Sequence, residues 1–309
     1  MSSPIVMLCP GQGAQAVGMG KAWHDASDAA RAVLDEADEI VAAELGAPLS
    51  KLCFEGPSDR LNQTDVSQPA IYAVSVACFR ALEASEGSIE LEATAGLSLG
   101  EYTALHLAGV FSFADGLRLV TKRGRYMQDA AEASEGSMVA LIGADEEQAH
   151  TVCEKAAQGE TLVGANFNAP GQIVLSGTKA ACDRAVEVAG ASGLRATPLT
   201  VAGAFHSDLM APASDKMRRA LDEVDFAPPL CPVVSNVTAR PHETDPTTLI
   251  KERLVEQITS PVRWSQSCEW LVGKMNGEFH ELAPGKVLSG LMRRIHRPTK
   301  VVNHDTPGE

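Results

Sequence analysis

Two kinds of hydrophobic pattern occur along the chain, namely short continuous apolar runs and longer repeats at helical spacing. Residues 4–9 (PIVMLC) form an apolar run that ends at a Pro-Gly pair, which predicts a buried strand of a parallel sheet. Residues 25–45 carry apolar side chains at helical intervals and stop before Gly46, which predicts an amphipathic helix. A second helix is predicted from Ser67 to Glu86, with Pro69 in its first turn. A strand at 93–97, a tight turn and a helix through Leu107 follow.

Residues 134–202 have a different pattern and are predicted to form a compact unit of their own. Strands are expected at 137–143, 161–167, 172–177 and 195–201, and helices at 145–158 and 179–191. This order, βαββαβ, is that of a ferredoxin-like unit. Because the first and last strands of such a unit lie close together, it can be inserted into a host domain.

The remainder of the chain returns to alternating strands and helices. Strands are predicted at 231–237 and 278–283, and helices at 247–258, after Pro261 and at 286–296. Alternation of this kind predicts an α/β domain. We therefore expect a large α/β domain made of residues 1–133 and 203–309, with the small domain inserted at 134–202.

Length and composition agree with this division and exclude several classes of protein. A chain of 309 residues fits about two domains. The formal net charge of −14 argues against nucleic-acid binding, because phosphate neutralisation requires a basic surface. Seven cysteines at wide intervals, with no C-x-x-C, argue against a disulfide framework and a structural zinc site. No apolar segment is long enough for a membrane span and the N-terminus lacks a signal-peptide pattern, so a cytoplasmic protein without membrane contact is expected.

The most informative short motif is G-x-S-x-G at residues 96–100, between a predicted strand and a predicted helix. In a nucleophile elbow, two glycines permit the sharp turn that exposes the serine hydroxyl at the start of a helix. Ser98 is therefore a candidate nucleophile. A glycine-rich turn with a capping serine remains the structural alternative.

A serine hydroxyl needs a base within hydrogen-bonding distance. Among eight histidines, His206 is the best placed, because it lies among small and apolar neighbours where the chain returns from the inserted unit. His24, His150 and His242 stand in polar segments and are expected to be exposed, whereas His106 lies on the helix after the elbow.

Eight motifs in order make the chain resemble the malonyl-CoA:acyl carrier protein transacylases over nearly its whole length. They are PGQGAQ at 10–15, GPSDRLNQTDVSQPA at 56–70, GLSLGEYTAL at 96–105, Arg123-Gly124 before Met127, NAPGQ at 168–172, GAFHSDLM at 203–210, Gln257 before PVRW at 261–264, and APGKVLSGL at 283–291. The order of the whole set is far more specific than any one motif.

The resemblance implies roles for several of these residues. Ser98 would attack the thioester of malonyl-CoA, and His206 would accept and later return the proton. A backbone carbonyl near Gln257 would orient the imidazole in place of an aspartate. The backbone N–H groups of Gln12 and Leu99 would form an oxyanion hole.

Substrate selection is also implied by the resemblance. Arg123 would bind the free malonyl carboxylate, since a guanidinium can hold a carboxylate through two parallel hydrogen bonds. Phe205 would exclude a methyl group at C2 of the acyl chain. Asn168 matches a position near the acyl-thioester channel, with an Asx turn before Pro170 as the alternative.

Two further positions beside the nucleophile carry expectations of their own. Leu97 stands where many relatives have histidine, so no hydrogen bond to the acyl group is assigned to it. Glu101 is expected to support the first turn of the helix after the elbow.

The implied protein is a monomeric α/β-hydrolase-like acyltransferase with a ferredoxin-like insertion and its site in the cleft between them. It would transfer malonyl groups from malonyl-CoA to acyl carrier protein for fatty acid synthesis, without a cofactor or metal. Arg293, Arg294, Arg297 and Lys300 form a basic cluster that could bind the acidic carrier. A serine hydrolase or thioesterase and a non-catalytic binding module remain the alternatives.

Overall fold

The computed structural model describes residues 4–242 and 247–308. Its strands are β1 (Ile5–Cys9), β2 (Leu91–Gly96), β3 (Gly136–Ile142), β4 (Leu162–Ala169), β5 (Gln172–Thr178), β6 (Arg195–Pro198), β7 (Val233–Val234), β8 (Glu278–Leu282) and β9 (Val301–His304). They form two separate sheets, one parallel and one antiparallel.

Helices surround both sheets. They are α1 (Lys21–Ala26), α2 (Asp28–Leu45), α3 (Leu49–Glu55), α4 (Ser58–Leu61), α5 (Thr64–Glu86), α6 (Gly100–Leu107), α7 (Phe113–Glu132), α8 (Glu146–Ala157), α9 (Lys179–Ala191), α10 (Ala211–Asp222), α11 (Thr248–Gln257), α12 (Trp264–Lys274) and α13 (Val287–Ile295). A 3₁₀ turn, Asp208–Met210, precedes α10. None of the helices in the described part of the chain combines the length and apolar character required to cross a bilayer.

The parallel sheet has the strand order β7-β2-β1-β8-β9, and every neighbouring pair is parallel. Successive side chains of a strand point to opposite faces, so β1 contributes to two cores. Met7 and Cys9 pack into the core formed with α2, α5 and α7, whereas Val6 and Leu8 pack into the core formed with α12 and α13. This explains why the first strand is apolar at every position.

The antiparallel sheet has the order β4-β5-β3-β6, and α8 and α9 pack on one face of it. With its helices it follows the predicted βαββαβ order, and the α/β fold class is confirmed. Backbone hydrogen bonds join the two units, since Val262 N donates to Ala165 O at 2.8 Å and Phe167 N donates to Val262 O at 2.9 Å. The domain limits at 134 and 202 stay a prediction.

Several predicted bounds were wrong. α5 begins at Thr64, which puts Pro69 inside the helix beyond its first turn. The predicted helix at 25–45 is divided at Ser27, whose hydroxyl caps α2 by accepting from Ala30 N. The strand expected at 231–237 has only two residues in β7, and the strand expected at 195–201 ends at Pro198.

The sequence patterns also missed several elements. α3, α4, α7, α10 and β9 were not predicted. α3, α4, α10 and β9 have twelve residues or fewer, so their apolar patterns are too short to separate them from loops. α7 has 20 residues, and its helical pattern was overlooked.

Candidate active site

The connection from β2 to α6 is a sharp elbow with Ser98 at its tip. Ser98 has a φ of 52°, a left-handed conformation that is rare for residues with a side chain. A Cβ on Gly96 would lie 1.9 Å from the Gly100 carbonyl carbon, and one on Gly100 would lie 2.2 Å from Cys9 O. Both glycines are therefore required by close backbone contacts, as expected for a nucleophile elbow.

His206 contacts Ser98, although the two residues are 108 positions apart in the sequence. Its Nε2 lies 2.8 Å from Ser98 Oγ, and its Nδ1 lies 2.8 Å from Gln257 O. Because a carbonyl only accepts, Nδ1 carries the proton and Nε2 is left to accept from the serine. Burial, with a further contribution from the Arg123 charge, lowers the pKa of His206 from 6.5 to about 4. The imidazole is therefore neutral near pH 7 and can act as a base.

Arg123 projects from α7 into the same site and is 1% exposed. Its guanidinium donates to Gln68 Oε1 at 2.6 Å, and through one nitrogen to Ser98 Oγ at 3.1 Å and Gln257 Oε1 at 2.9 Å. Burial lowers its pKa, although nearby Tyr102 and Glu101 oppose this effect. Within residues 4–242 and 247–308 no carboxylate lies within 4.0 Å of it. A buried cation without a contacting anion fits an anionic ligand.

The two backbone N–H groups assigned to the oxyanion hole belong to Gln12 and Leu99, and both residues line the cleft beside Ser98. Leu99 directly precedes the first residue of α6, where backbone N–H groups have no partner inside the helix. Neither N–H donates a hydrogen bond to another group of the described chain. Both donors are thus available to a ligand.

The cleft has a volume of about 480 Å³ and lies between the two sheets. The elbow and α7 contribute Ser98 and Arg123, whereas the antiparallel unit contributes Met138, Asn168 and Val174. Phe205 also lines the cleft and is 6% exposed. Seven of the eight residues assigned to the site from sequence therefore line this cleft. The eighth, Gln257, lies directly behind it and forms hydrogen bonds with Arg123 and His206.

Comparison with known proteins gives one consistent result. The acyl transferase domain family matches residues 6–302. A malonyl CoA-acyl carrier protein transacylase of Bacillus subtilis is 43% identical over 309 residues, covering 99% of this chain and 94% of that protein. The chain belongs to the malonyl-CoA:acyl carrier protein transacylase family.

Solved structures of the transacylase family share the fold. An acyl-carrier-protein S-malonyltransferase from Bartonella henselae superimposes with a TM-score of 0.92 at 42% identity, covering 98% of this chain and 96% of that one. A malonyl transacylase solved in complex with a type II polyketide synthase acyl carrier protein also gives 0.92, at 38% identity, with coverage of 98% and 96%.

Leu97, where many transacylases have histidine, lines the cleft and packs against the core beneath α12 and α13. Asn168 lies opposite the elbow on β4, and its Oδ1 is buried without a hydrogen-bond partner among the described residues. The Asx turn considered for this residue would occupy Oδ1, so the free oxygen favours a position open to ligand.

Two expectations about polar residues near the transacylase elbow were wrong. Glu101 does not support the first turn of α6, because its carboxylate is fully buried and accepts from Asn236 N, Gln257 Nε2 and His242 Nε2. His242 is 6% exposed and therefore buried, because its Nε2 forms a hydrogen bond with the buried Glu101 carboxylate.

Sequence reasoning missed Gln68 and Asn236 altogether. Gln68 accepts from Arg123, and Asn236 bonds to the elbow backbone on both sides of Leu97. Asn236 had a usable signal, since it is a polar residue soon after the carboxyl end of a parallel strand, where ligand sites of α/β sheets lie. Gln68 lies inside a long apolar helix and gave no comparable signal.

No group of three or more histidine, cysteine, aspartate or glutamate side chains in residues 4–242 and 247–308 is arranged to hold a metal ion. The polar groups around Ser98 already bond to one another.

Proposed function

We propose that this protein transfers the malonyl group of malonyl-CoA to the phosphopantetheine thiol of acyl carrier protein through an ester on Ser98. The observation that carries the proposal is the buried Arg123 guanidinium, 3.1 Å from Ser98 Oγ and without a carboxylate partner in the described chain. A neutral acyl group leaves this cation uncompensated, whereas the free carboxylate of a malonyl group pairs with it. Membership of the transacylase family supports the same activity.

In the first half-reaction Ser98 Oγ attacks the thioester carbonyl while His206 Nε2 takes the hydroxyl proton. The carbonyl oxygen becomes negative and accepts from the N–H groups of Gln12 and Leu99. The tetrahedral intermediate collapses, the carbon–sulfur bond breaks, and His206 returns the proton to the departing thiolate. Free CoA leaves and malonyl stays on Ser98.

The second half-reaction runs the same steps with the carrier thiol as nucleophile. His206 removes the thiol proton, the sulfur attacks the Ser98 ester, and the proton returns to Ser98 Oγ as the malonyl thioester leaves. Throughout, Gln257 O accepts from His206 Nδ1, so the ring is held in one tautomer without a contacting acid.

Carrier protein is proposed to dock next to α13. Val287 and Leu291 of this helix line the cleft, and its last turn carries Arg293 and Arg294. Arg297 and Lys300 are exposed as well, but Lys300 lies beside the start of β8, at the end of the parallel sheet away from the elbow. Arg293 and Arg294 therefore form the exposed basic cluster nearer the cleft, although the molecule as a whole is acidic. Such a cluster favours an acidic partner.

Charge reversal tests this docking surface. Arg293→Glu with Arg294→Glu is expected to raise the KM for carrier protein about tenfold and to leave malonyl-CoA kinetics unchanged. Lys155→Glu, which reverses an exposed charge on α8, is the matched control. An unchanged KM for carrier would exclude this surface.

The pathway and the physical state of the protein belong to the same proposal. We propose that this protein supplies fatty acid synthesis, acts as a monomer and works in the cytoplasm. Sedimentation of the purified chain checks the monomer directly.

Intact-mass measurement after mixing with malonyl-CoA tests the central proposal. We expect a persistent malonyl adduct that Ser98→Ala abolishes. Ser176→Ala, which removes a buried hydroxyl on β5, is expected to keep the adduct. Rapid release of free malonate would identify a hydrolase, and absence of any adduct would identify a binding module; either result would refute the transferase.

A further inference from the structure

Glu101 connects three separate segments behind the nucleophile. It stands in the first turn of α6 and is 0% exposed. Gln257 Nε2 donates to it at 2.5 Å, Asn236 N at 3.1 Å and His242 Nε2 at 2.6 Å. A carboxylate only accepts, so all three contacts are donations to Glu101.

The first consequence concerns the elbow. Asn236 Oδ1 accepts from Ser98 N at 2.6 Å, and its Nδ2 donates to Gly96 O at 2.7 Å. One side-chain amide therefore spans the strained turn that holds Ser98. The backbone of Asn236 is in turn tied to Glu101, so the carboxylate fixes the residue that supports the elbow.

The second consequence concerns Arg123. An amide side chain can point either its oxygen or its nitrogen at a given neighbour, and only the surrounding partners decide. Glu101 and Ser98 O both accept from Gln257 Nε2, which leaves Gln257 Oε1 to accept from Arg123 at 2.9 Å. The negative Glu101 and the positive Arg123 are thus joined through one oriented amide.

His242 completes the environment of this carboxylate. Its side chain is 1% exposed, and its backbone N–H bonds to Val233 O in β7, so the ring is held at the end of the parallel sheet. The Nε2–H of this ring donates to Glu101 Oε1, whereas Asn236 N and Gln257 Nε2 both donate to Oε2. A buried carboxylate needs such donors to remain in the interior.

We propose that Glu101, held by His242, is a positioning residue for malonyl selection: it orients the Gln257 amide so that its oxygen faces Arg123 and keeps the guanidinium aligned for the acyl carboxylate. This inference rests on the transferase function proposed above. Glu101 therefore acts on the site through Gln257 and forms no hydrogen bond with His206.

Glu101→Gln tests the proposal, because a neutral amide offers one acceptor oxygen where three donors converge. Either the contact with His242 is lost or His242 moves its proton to Nδ1 and accepts at Nε2. In both cases the negative charge that favours the Gln257 NH₂ group is gone, and reversal of the Gln257 amide would turn that group toward Arg123. Single-turnover acylation of Ser98 is measured by intact mass with malonyl-CoA and with acetyl-CoA. We expect the ratio of the malonyl rate to the acetyl rate to fall about tenfold or more, in addition to any loss that reaches Ser98 through Asn236 and lowers both rates equally.

Loss of folded protein cannot produce this pattern, because it lowers both rates by one factor. Asp38→Asn, which neutralises an acid bonded to Ser50 on the far helices, is the matched control and should leave the ratio unchanged. An unaltered ratio in Glu101→Gln would overturn the positioning role. If wild-type protein formed no malonyl ester, the proposed function itself would fail instead.

A second pair of variants decides the question should Glu101→Gln fail to fold. His242→Leu removes one donor and is expected to lower the same ratio about threefold, whereas His242→Gln keeps a donor and restores it. Equal ratios in the two variants would reject the role of His242 in holding Glu101.

Discussion

The two sheets of this molecule, with their helices, contribute different kinds of side chain to one cleft. The elbow after β2, α7 and the segments around α10 and α11 bring the charged and proton-transferring groups Ser98, Arg123, His206 and Gln257. The antiparallel unit brings walls without charged side chains, both apolar (Met138, Val174, Leu199) and polar (Asn166, Asn168). The charged and proton-transferring groups thus come from one part of the fold, whereas the channel walls come from both, since Phe205, Val287 and Leu291 also line the cleft.

The strongest test of this division is Arg123→Ala. The variant loses the cation that pairs with the malonyl carboxylate, so malonyl transfer should fall about a hundredfold while acetyl transfer changes far less. Steady-state rates with both thioesters measure the change. A malonyl-to-acetyl ratio equal to that of wild type would mean that selectivity lies elsewhere, and the antiparallel walls would be the next place to look.

The pH profile tests whether burial has kept His206 neutral. With its pKa lowered to about 4, His206 is unprotonated at pH 5, so kcat/KM should be near its neutral value there. A histidine with an ordinary pKa of 6.5 would lose about thirtyfold at the same pH. An acidic limb near 6.5 would contradict the burial argument.

Stability must be followed in the same experiment, because the same shift acts on folding. The unfolded chain takes up protons on histidine below pH 6.5, whereas buried His106, His206 and His304 resist them until about pH 4. The free energy of unfolding therefore decreases as pH falls through this range. Circular dichroism at each pH identifies the folded fraction to which the rates refer.

Phe205→Ser is expected to have a smaller effect, because it changes shape rather than charge. The ring is buried beside His206 and lines the cleft, so its loss creates room for a methyl group at C2 of the acyl chain. Methylmalonyl transfer should rise about tenfold, within the ~1–3 kcal/mol that one methylene is worth in a tight pocket. Competition between the two CoA esters measures this directly, and equal rejection before and after the change would argue against Phe205.

The two sheets also differ in how well their elements could be predicted from sequence. In the antiparallel unit α9 was predicted at its observed limits of 179 and 191, and Asp145 was placed at the start of α8, where it caps the helix. Alternating patterns and side-chain caps act over a few residues, so a local reading finds them. The two-residue β7 depends on pairing with β2 and could not be found in this way.

The site residues also differ in how far they could be predicted: one depends on its sequence neighbours, and the others depend on contacts with distant positions. Ser98 was found from the glycines beside it, because the elbow is a local backbone requirement. His206 was selected among eight histidines from its neighbours, and its role, like those of Arg123 and Gln257, came from family resemblance, since their contacts with Ser98 span 25 to 159 positions. The role of Glu101 and the burial of His242 were misjudged, because both depend on hydrogen bonds with residues distant in sequence, which a local pattern does not show.

Of these substitutions, Asn168→Ala is expected to have the smallest effect on the transfer rates. Asn168 is a polar residue of the antiparallel wall, and its Oδ1 bonds to nothing within the described residues, so its loss strands no buried donor. Malonyl and acetyl transfer should both stay within about threefold of wild type, with an unchanged ratio. Ala substitution of Asn166, which also lines the cleft from β4, is the matched control. A large loss at Asn168 alone would show that the antiparallel unit holds the substrate through a directed hydrogen bond, and that unit would then contribute more than a wall of the channel.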